Sequence, residues 1–168
     1  RYADGEMYDA DSIKVDSTAA YKTVAGRTVY GGGGIIPDVF VPVDTTRATK
    51  FFIACNKKAT QMRFASAMFD RYKDRLSVID DYNELNKFLD SVNLSAAFRE
   101  YASSKDGIVC TQKEWEETSE YLLPQLRALV GRYSKLGENA FYKMYLNVDV
   151  TLKKAIESDS RNLLHPAR

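Results

Sequence analysis

Very little of the usual catalytic and metal-binding chemistry is present: the 168 residues hold one histidine, two cysteines and one tryptophan. The histidine, His165, stands three residues from the end of the chain. A histidine-based triad needs an imidazole held by a buried orienting partner, which a chain end seldom provides, so His165 reads as a solvated tail residue. Cys55 and Cys110 are far apart and form no C-x-x-C pair. With so few ligand types the spacings fit no zinc pattern, and no metal or cofactor is expected. The two thiols read as small buried hydrophobes; one disulfide stays open if the protein is exported. A surplus of one charge is also missing, with 24 Lys and Arg against 23 Asp and Glu. That balance argues against nucleic acid as a partner. No apolar run approaches the roughly 20 residues that span a bilayer, so no membrane span is expected. The chain opens on Arg1 with no charged-then-apolar leader, which assigns no compartment.

What is present falls into two regions. Up to about residue 45 the pattern is strand and turn. Ser12–Val15 and Ala20–Thr23 can run extended, Val24-Ala25-Gly26-Arg27 is a turn candidate, and Thr28-Val29-Tyr30 has the residue types strands favour. Gly31 to Gly34 cannot hold a regular element alone. Ile35-Ile36 and Val39-Phe40-Val41 follow, interrupted by Pro37 and closed by Pro42, as edge or extended segments.

From residue 46 the period becomes helical. Phe51, Cys55, Ala59, Met62, Ala65, Phe69, Tyr72 and Leu76 form one apolar stripe along one helix or two consecutive ones. Leu85, Phe88, Leu89 and Val92 mark a short helix. Leu94, Ala97, Phe98, Tyr101 and Ala102 mark another, stopped at Asp106-Gly107. Thr111-Gln112-Lys113-Glu114 is a capping box. It opens a long helix with Trp115, Thr118, Leu122, Leu126, Leu129 and Tyr133 on one face, kinked or broken at Pro124. Beyond Gly137, Phe141, Tyr145, Val148, Leu152 and Ile156 predict a last helix to Glu157, with a frayed tail over residues 158–168. Helices with one apolar face are unstable alone, and short connections favour antiparallel neighbours. The expected fold is therefore mainly α: a small antiparallel helical bundle over residues 46–157, preceded by a β-strand and Gly-rich arm over 1–45.

No residue set in this chain makes a convincing active site. Asp9, Asp11 and Asp16 lack the Gly and closing Glu of a calcium loop and read as turn and cap residues. Glu116-Glu117 and Asp80-Asp81 suit helix starts, where carboxylates complement the dipole. The four glycines are followed by Ile35-Ile36-Pro37, without the Lys and Ser or Thr of a phosphate-binding loop. A Ser–Lys dyad needs a lysine whose ammonium is destabilised by burial, whereas Lys14, Lys22 and the helix lysines occupy exposed-looking positions. No catalytic, cofactor-binding or metal-ligating residue is assigned.

One segment carries a resemblance. Gly26-Arg27, the strand Thr28-Val29-Tyr30, then Gly34-Ile35-Ile36-Pro37-Asp38 and another extended run resemble the closing strands of the protease domain in the C-terminal processing (tail-specific) serine peptidases. The glycine run, Val41-Pro42-Val43-Asp44-Thr45-Thr46 and the earlier Asp4-Gly5-Glu6 and Asp11-Ser12-Ile13 are similar to a subgroup with an added helical C-terminal region. The match is specific over about the first 46 residues and rests on layout beyond them. The resemblance implies a parent that is an exported, cofactor-independent Ser–Lys endopeptidase, periplasmic or cell-envelope in location, acting on polypeptide C-termini. Its dyad and PDZ domain would lie upstream of Arg1. This chain would then be an inactive C-terminal piece whose arm belongs to the protease-domain sheet. Its helices would support assembly or position substrates, with the upstream domains, polypeptide substrates and further copies of itself as expected partners. The alternative is a free-standing helical adaptor without protease parentage.

Overall fold

The computed structural model describes residues 6–13, 18–24, 26–31, 37, 39–44 and 48–160. It is mainly helical, with a small two-stranded antiparallel sheet. Two compact units divide the chain, one of Thr45–Asp149 and one of Arg1–Asp44 with Val150–Arg168.

The first of these units holds six α-helices. Helix α1 (Lys50–Lys57) begins at Thr49, whose hydroxyl accepts from the Phe52 N–H. It is separated from α2 (Thr60–Leu76) by Ala59, whose φ of 50° is left-handed. That conformation is costly for a residue with a Cβ, and it resets the phase of the apolar stripe. Ala59 and Met62, expected on the core face, are exposed; Thr60, Gln61, Phe64, Ala65 and Met68 are buried instead. Helix α3 (Tyr82–Ser91) starts on Asp81, whose carboxylate accepts from the Asn83 and Glu84 N–H groups. Leu85, Phe88 and Leu89 are its buried face, as expected. Helix α4 (Leu94–Asp106) is capped by the Asn93 side chain and ends on Gly107 at φ 67°, a left-handed stop that glycine takes without Cβ penalty.

Helix α5 (Gln112–Gly131) begins with the expected capping box, both reciprocal hydrogen bonds being present. Pro124 neither ends nor divides it: the helix continues seven residues further, to Gly131. Trp115, Thr118, Leu122 and Leu126 are buried as anticipated, but Tyr133 lies past the helix end, exposed and stacked on Phe69 at 4.7 Å. Gly131 lets the Leu85 and Met144 side chains approach closely, because a Cβ there would stand 3.3 Å from both Leu85 Cδ2 and Met144 Sδ. Helix α6 (Glu138–Tyr145) follows. The single last helix expected over Phe141–Glu157 is in fact interrupted: a 3-10 turn at Leu146–Val148 and extended Asp149 end α6 before α7 (Val150–Ser160) begins.

The core of this unit is an aromatic chain. Phe98 of α4 is fully buried and meets Phe51 of α1 at 6.0 Å and Phe64 of α2 at 5.2 Å, both edge to face. Phe51 also meets Trp115 of α5 at 6.3 Å. One ring thus joins three helices directly and a fourth at one remove.

In the other unit, β1 (Ala20–Lys22) and β2 (Thr28–Tyr30) form an antiparallel hairpin, with Tyr21 opposite Val29. The expected turn closes it through Gly26 N–H to Thr23 O and Thr23 N–H to Arg27 O. Ser12, expected extended, is in a 3-10 turn at Ala10–Ser12; Val15, Asp16 and Lys14 lie outside the described residues. So do Gly32 to Gly34, Ile35, Ile36, Asp38 and His165. Helix α7 belongs to this unit and continues past the expected end at Glu157. Ser158, expected in a frayed tail, is buried and donates its hydroxyl to Lys154 O at 2.8 Å.

The reset phase of α2 is testable by substitution. Phe98→Ala should cost about 3–5 kcal/mol, whereas Met62→Ala should stay within about 0.5 kcal/mol, both read from urea denaturation. A large loss at Met62 would contradict the placement of α2.

Candidate functional site

Within the helical unit an open groove of about 440 Å³ runs between α3, the middle of α5, and α6 with its 3-10 extension. Its position follows from local sequence. Asp81 fixes the start of α3, so Asn83 and Asn86 fall outside the buried Leu85, Phe88 and Leu89 face, while Tyr82 stands at its border, partly buried against the core. Lys143 of α6 and Asn147 of the 3-10 turn that follows it both line the groove, joined by the Asn147 side chain donating to Lys143 O. Pro124 and Arg127 of α5 form the floor between them.

The lining contains two cations, three carboxamides and no carboxylate. Arg127 is held by Asp90 at 2.7 Å and by the Asn86 carbonyl oxygen at 3.0 Å. Lys143 extends over the Tyr82 ring, its ammonium 3.8 Å from the centroid, a favourable cation–π placement. The Tyr82 hydroxyl donates to Asn139 O, which fixes that ring. Asn147 donates through Nδ2 to Lys143 O at 2.9 Å. Among the described residues Lys143 has no carboxylate partner and the Asn83 carboxamide makes no hydrogen bond.

A second polar cluster lies between the start of α2 and the end of α4. The Asp106 carboxylate accepts from the Thr60 hydroxyl at 2.6 Å and from Arg63 at 2.6 Å, while its backbone carbonyl accepts from Lys58 at 2.8 Å. Its side chain is only 4% exposed. The Thr60 and Arg63 hydrogen bonds hold its carboxyl below the ordinary value. Both carboxylate oxygens are engaged, so this cluster fastens helix ends together. Glu114 does similar work: one oxygen closes the α5 capping box, and the other accepts from Phe51 N–H at 3.3 Å, tying the start of α1 to α5. Thr111, from side chain and backbone, lowers the Glu114 pKa, with a smaller contribution from Phe51.

The residues weighed from the sequence are dispersed. Cys55 is fully buried and Cys110 half-buried, both as free thiols. Burial pushes the Cys55 thiol up to about 11, against a lowering by Thr60, and burial raises Cys110 too. Asp9 accepts from Asp11 N–H at 3.0 Å, a local turn. Asp81 caps α3, while Asp80 stands 3.9 Å from Lys135. Glu116 and Glu117 pair along α5 with Gln112 and Lys113. Every described lysine is exposed, so none has the desolvated amine that a serine–lysine mechanism requires. No group of three or more His, Cys, Asp or Glu among the described residues could hold a metal ion. Sequence reasoning did not single out the groove. Asn83, Asn86, Lys143 and Asn147 look like ordinary polar-face residues until α3 and α6 are placed beside each other.

Two measurements follow. Asp106 is held below its ordinary value of 3.8, so its contribution to stability is present above that pH and is lost as pH falls through the lowered folded value. Wild-type urea midpoints should therefore fall steeply below about pH 4. Asp106→Asn should be less stable at pH 7 and fall less on acidification, with Glu114 supplying the remainder; parallel curves would refute the assignment. With a disulfide-exchange reagent in native buffer, Cys110 should react first, and Cys55 only as fast as the protein opens. Equal rates would show that Cys55 is not shielded. Comparison with protein-family models, with curated proteins and with solved structures found no match for this chain.

Proposed function

We propose that the chain is the non-catalytic C-terminal region of an exported serine endopeptidase that processes protein C-termini. Its arm would complete the protease-domain sheet, and its helical unit would support assembly or position substrates. The observation that carries this reading is the hairpin. Strands β1 and β2 have three residues each, pair only with one another among the described residues, and are exposed except at Val29. An isolated two-stranded hairpin is marginal in water, and its outer edges are open to further strands. Such a piece makes physical sense as the end of a larger sheet, which is what the Gly26-Arg27 and Pro37-Asp38 resemblance implies. The exposed lysines fit a chain whose catalytic serine and lysine lie elsewhere. The parent would need no cofactor, and the partners would be its upstream protease and PDZ domains and polypeptide substrates.

A second reading keeps the helical unit as a free-standing adaptor. It is favoured by the compactness of Thr45–Asp149, which has its own closed core. The reading frame upstream of Arg1 separates the two. An upstream serine and lysine in the family's arrangement are expected, and the longer chain should then cleave casein, with cleavage lost on changing that serine to alanine. The present chain alone should give no turnover. A frame without those residues would remove the peptidase reading and leave the adaptor.

A further inference from the structure

We infer that the groove between α3, α5 and α6 is a binding site for a peptide that carries a carboxylate, with Lys143 as its charge partner. This goes beyond the peptidase reading and does not depend on it, since an adaptor would use the same surface.

The argument begins with charge. Arg127 is already matched by Asp90 at 2.7 Å. Lys143 is matched by nothing acidic among the described residues and leans on the Tyr82 ring. The lining therefore has one net positive charge, which suits a monoanion. A phosphate dianion would want further donors, and the helix N-terminus beside the groove cannot supply them. Asp81 already occupies the Asn83 and Glu84 N–H groups that point out of α3.

The neutral lining narrows the class. Asn83, Asn86 and Asn147 each offer a carboxamide, a donor and an acceptor on one planar group. Peptide units present the same pair in the same plane. The Asn83 carboxamide is unengaged, and the hydrogen bond from Nδ2 to Lys143 O orients Asn147 so that its carbonyl oxygen can still accept. Met144, Val148 and Pro124 add apolar surface for the methylene stem of an acidic side chain. The volume of about 440 Å³ lies within the range of ligand pockets, about 300–1,000 Å³. Arg127, fixed by two partners, keeps further N–H groups for the ligand.

The carboxylate could come from an Asp or Glu side chain or from a chain end, and the test separates them. The whole chain, labelled with nitrogen-15, would be titrated with four probes. These are a blocked pentapeptide with one central Glu, an unblocked-end version with Gln in that place and a free terminal carboxylate, the fully neutral blocked peptide with Gln, and sodium phosphate. Side-chain amide signals of Asn83, Asn86 and Asn147 should move and saturate with one or both carboxylate peptides, and the tighter of the two names the source. Lys143→Gln, an exposed change that should leave the remaining spectrum in place, should weaken that binding tenfold or more. Equal binding of the neutral peptide, binding unaltered in Lys143→Gln, tighter binding of phosphate at the same signals, or no movement with any peptide would each overturn the proposal.

Discussion

The helical unit depends on the ring of Phe98. It sits at no solvent exposure between Phe51 and Phe64, so two edge-to-face contacts on one ring join α1, α2 and α4, and Trp115 extends the chain to α5. Edge-to-face pairs fix angles as well as separations. The aromatic chain therefore sets how these helices are placed on one another, in a way that interchangeable aliphatic side chains would not. Leu76, Ile79, Leu85 and Leu89 complete the core beyond Phe88, which Tyr72 meets at 5.4 Å. The groove borders that arrangement, because Pro124 and Arg127 in its lining belong to the helix whose Leu122 and Leu126 are buried in the core.

Two carboxylates hold the helix ends that this packing brings together. Backbone groups at helix termini have no partner within the helix, and burying them uncompensated would oppose the core. Glu114 answers for α5 and for the α1 Phe51 N–H at once. Asp106 gathers the α1–α2 connection and the first turn of α2 onto the end of α4. Both are held ionised by their hydrogen bonds, which links the helical unit to pH at the acid end. The left-handed Ala59 lies between Lys58 and Thr60, two of the Asp106 partners. Its unfavourable φ is retained because those bonds, together with the burial of Thr60, over-determine the turn.

Elements with local signals were legible in the sequence. The Thr111 capping box, the Gly107 stop, the faces of α3 and α4, and the β1–β2 turn all depend on residues within about one turn of each other. The failures share a different cause. An apolar period continues smoothly through Ala59 and again through Leu146–Asp149, so the stripe cannot reveal that the backbone leaves the helix there. Of the kink or break expected at Pro124, the break is absent, since the rule for helix breaking was outweighed by the burial of Leu122, Leu126 and Val130 on either side. The groove was not legible at all. Its polar residues come from three helices, and nothing in their spacing distinguishes them from a solvated face.

The spare cation in the groove is a consequence of how the nearby carboxylates are used. Asp81 is committed to the α3 N-terminus, Asp90 to Arg127, and Glu138 to Arg132. Asp80 faces Lys135 at the far end of α3 from Asp90. Each of these either caps a helix or joins two segments of the chain, so moving any of them to neutralise Lys143 would leave a backbone donor or another cation unmatched. Among the described residues the Lys143 ammonium therefore meets the π-face of Tyr82 and no carboxylate, and that face attracts a cation but cannot cancel its charge. A site in that condition binds an anion without first breaking an ion pair. In the Arg127 corner, by contrast, a ligand must share the guanidinium with Asp90. The difference makes Lys143 the primary contact and Arg127 the secondary one, and it follows from folding demands that have nothing to do with the ligand.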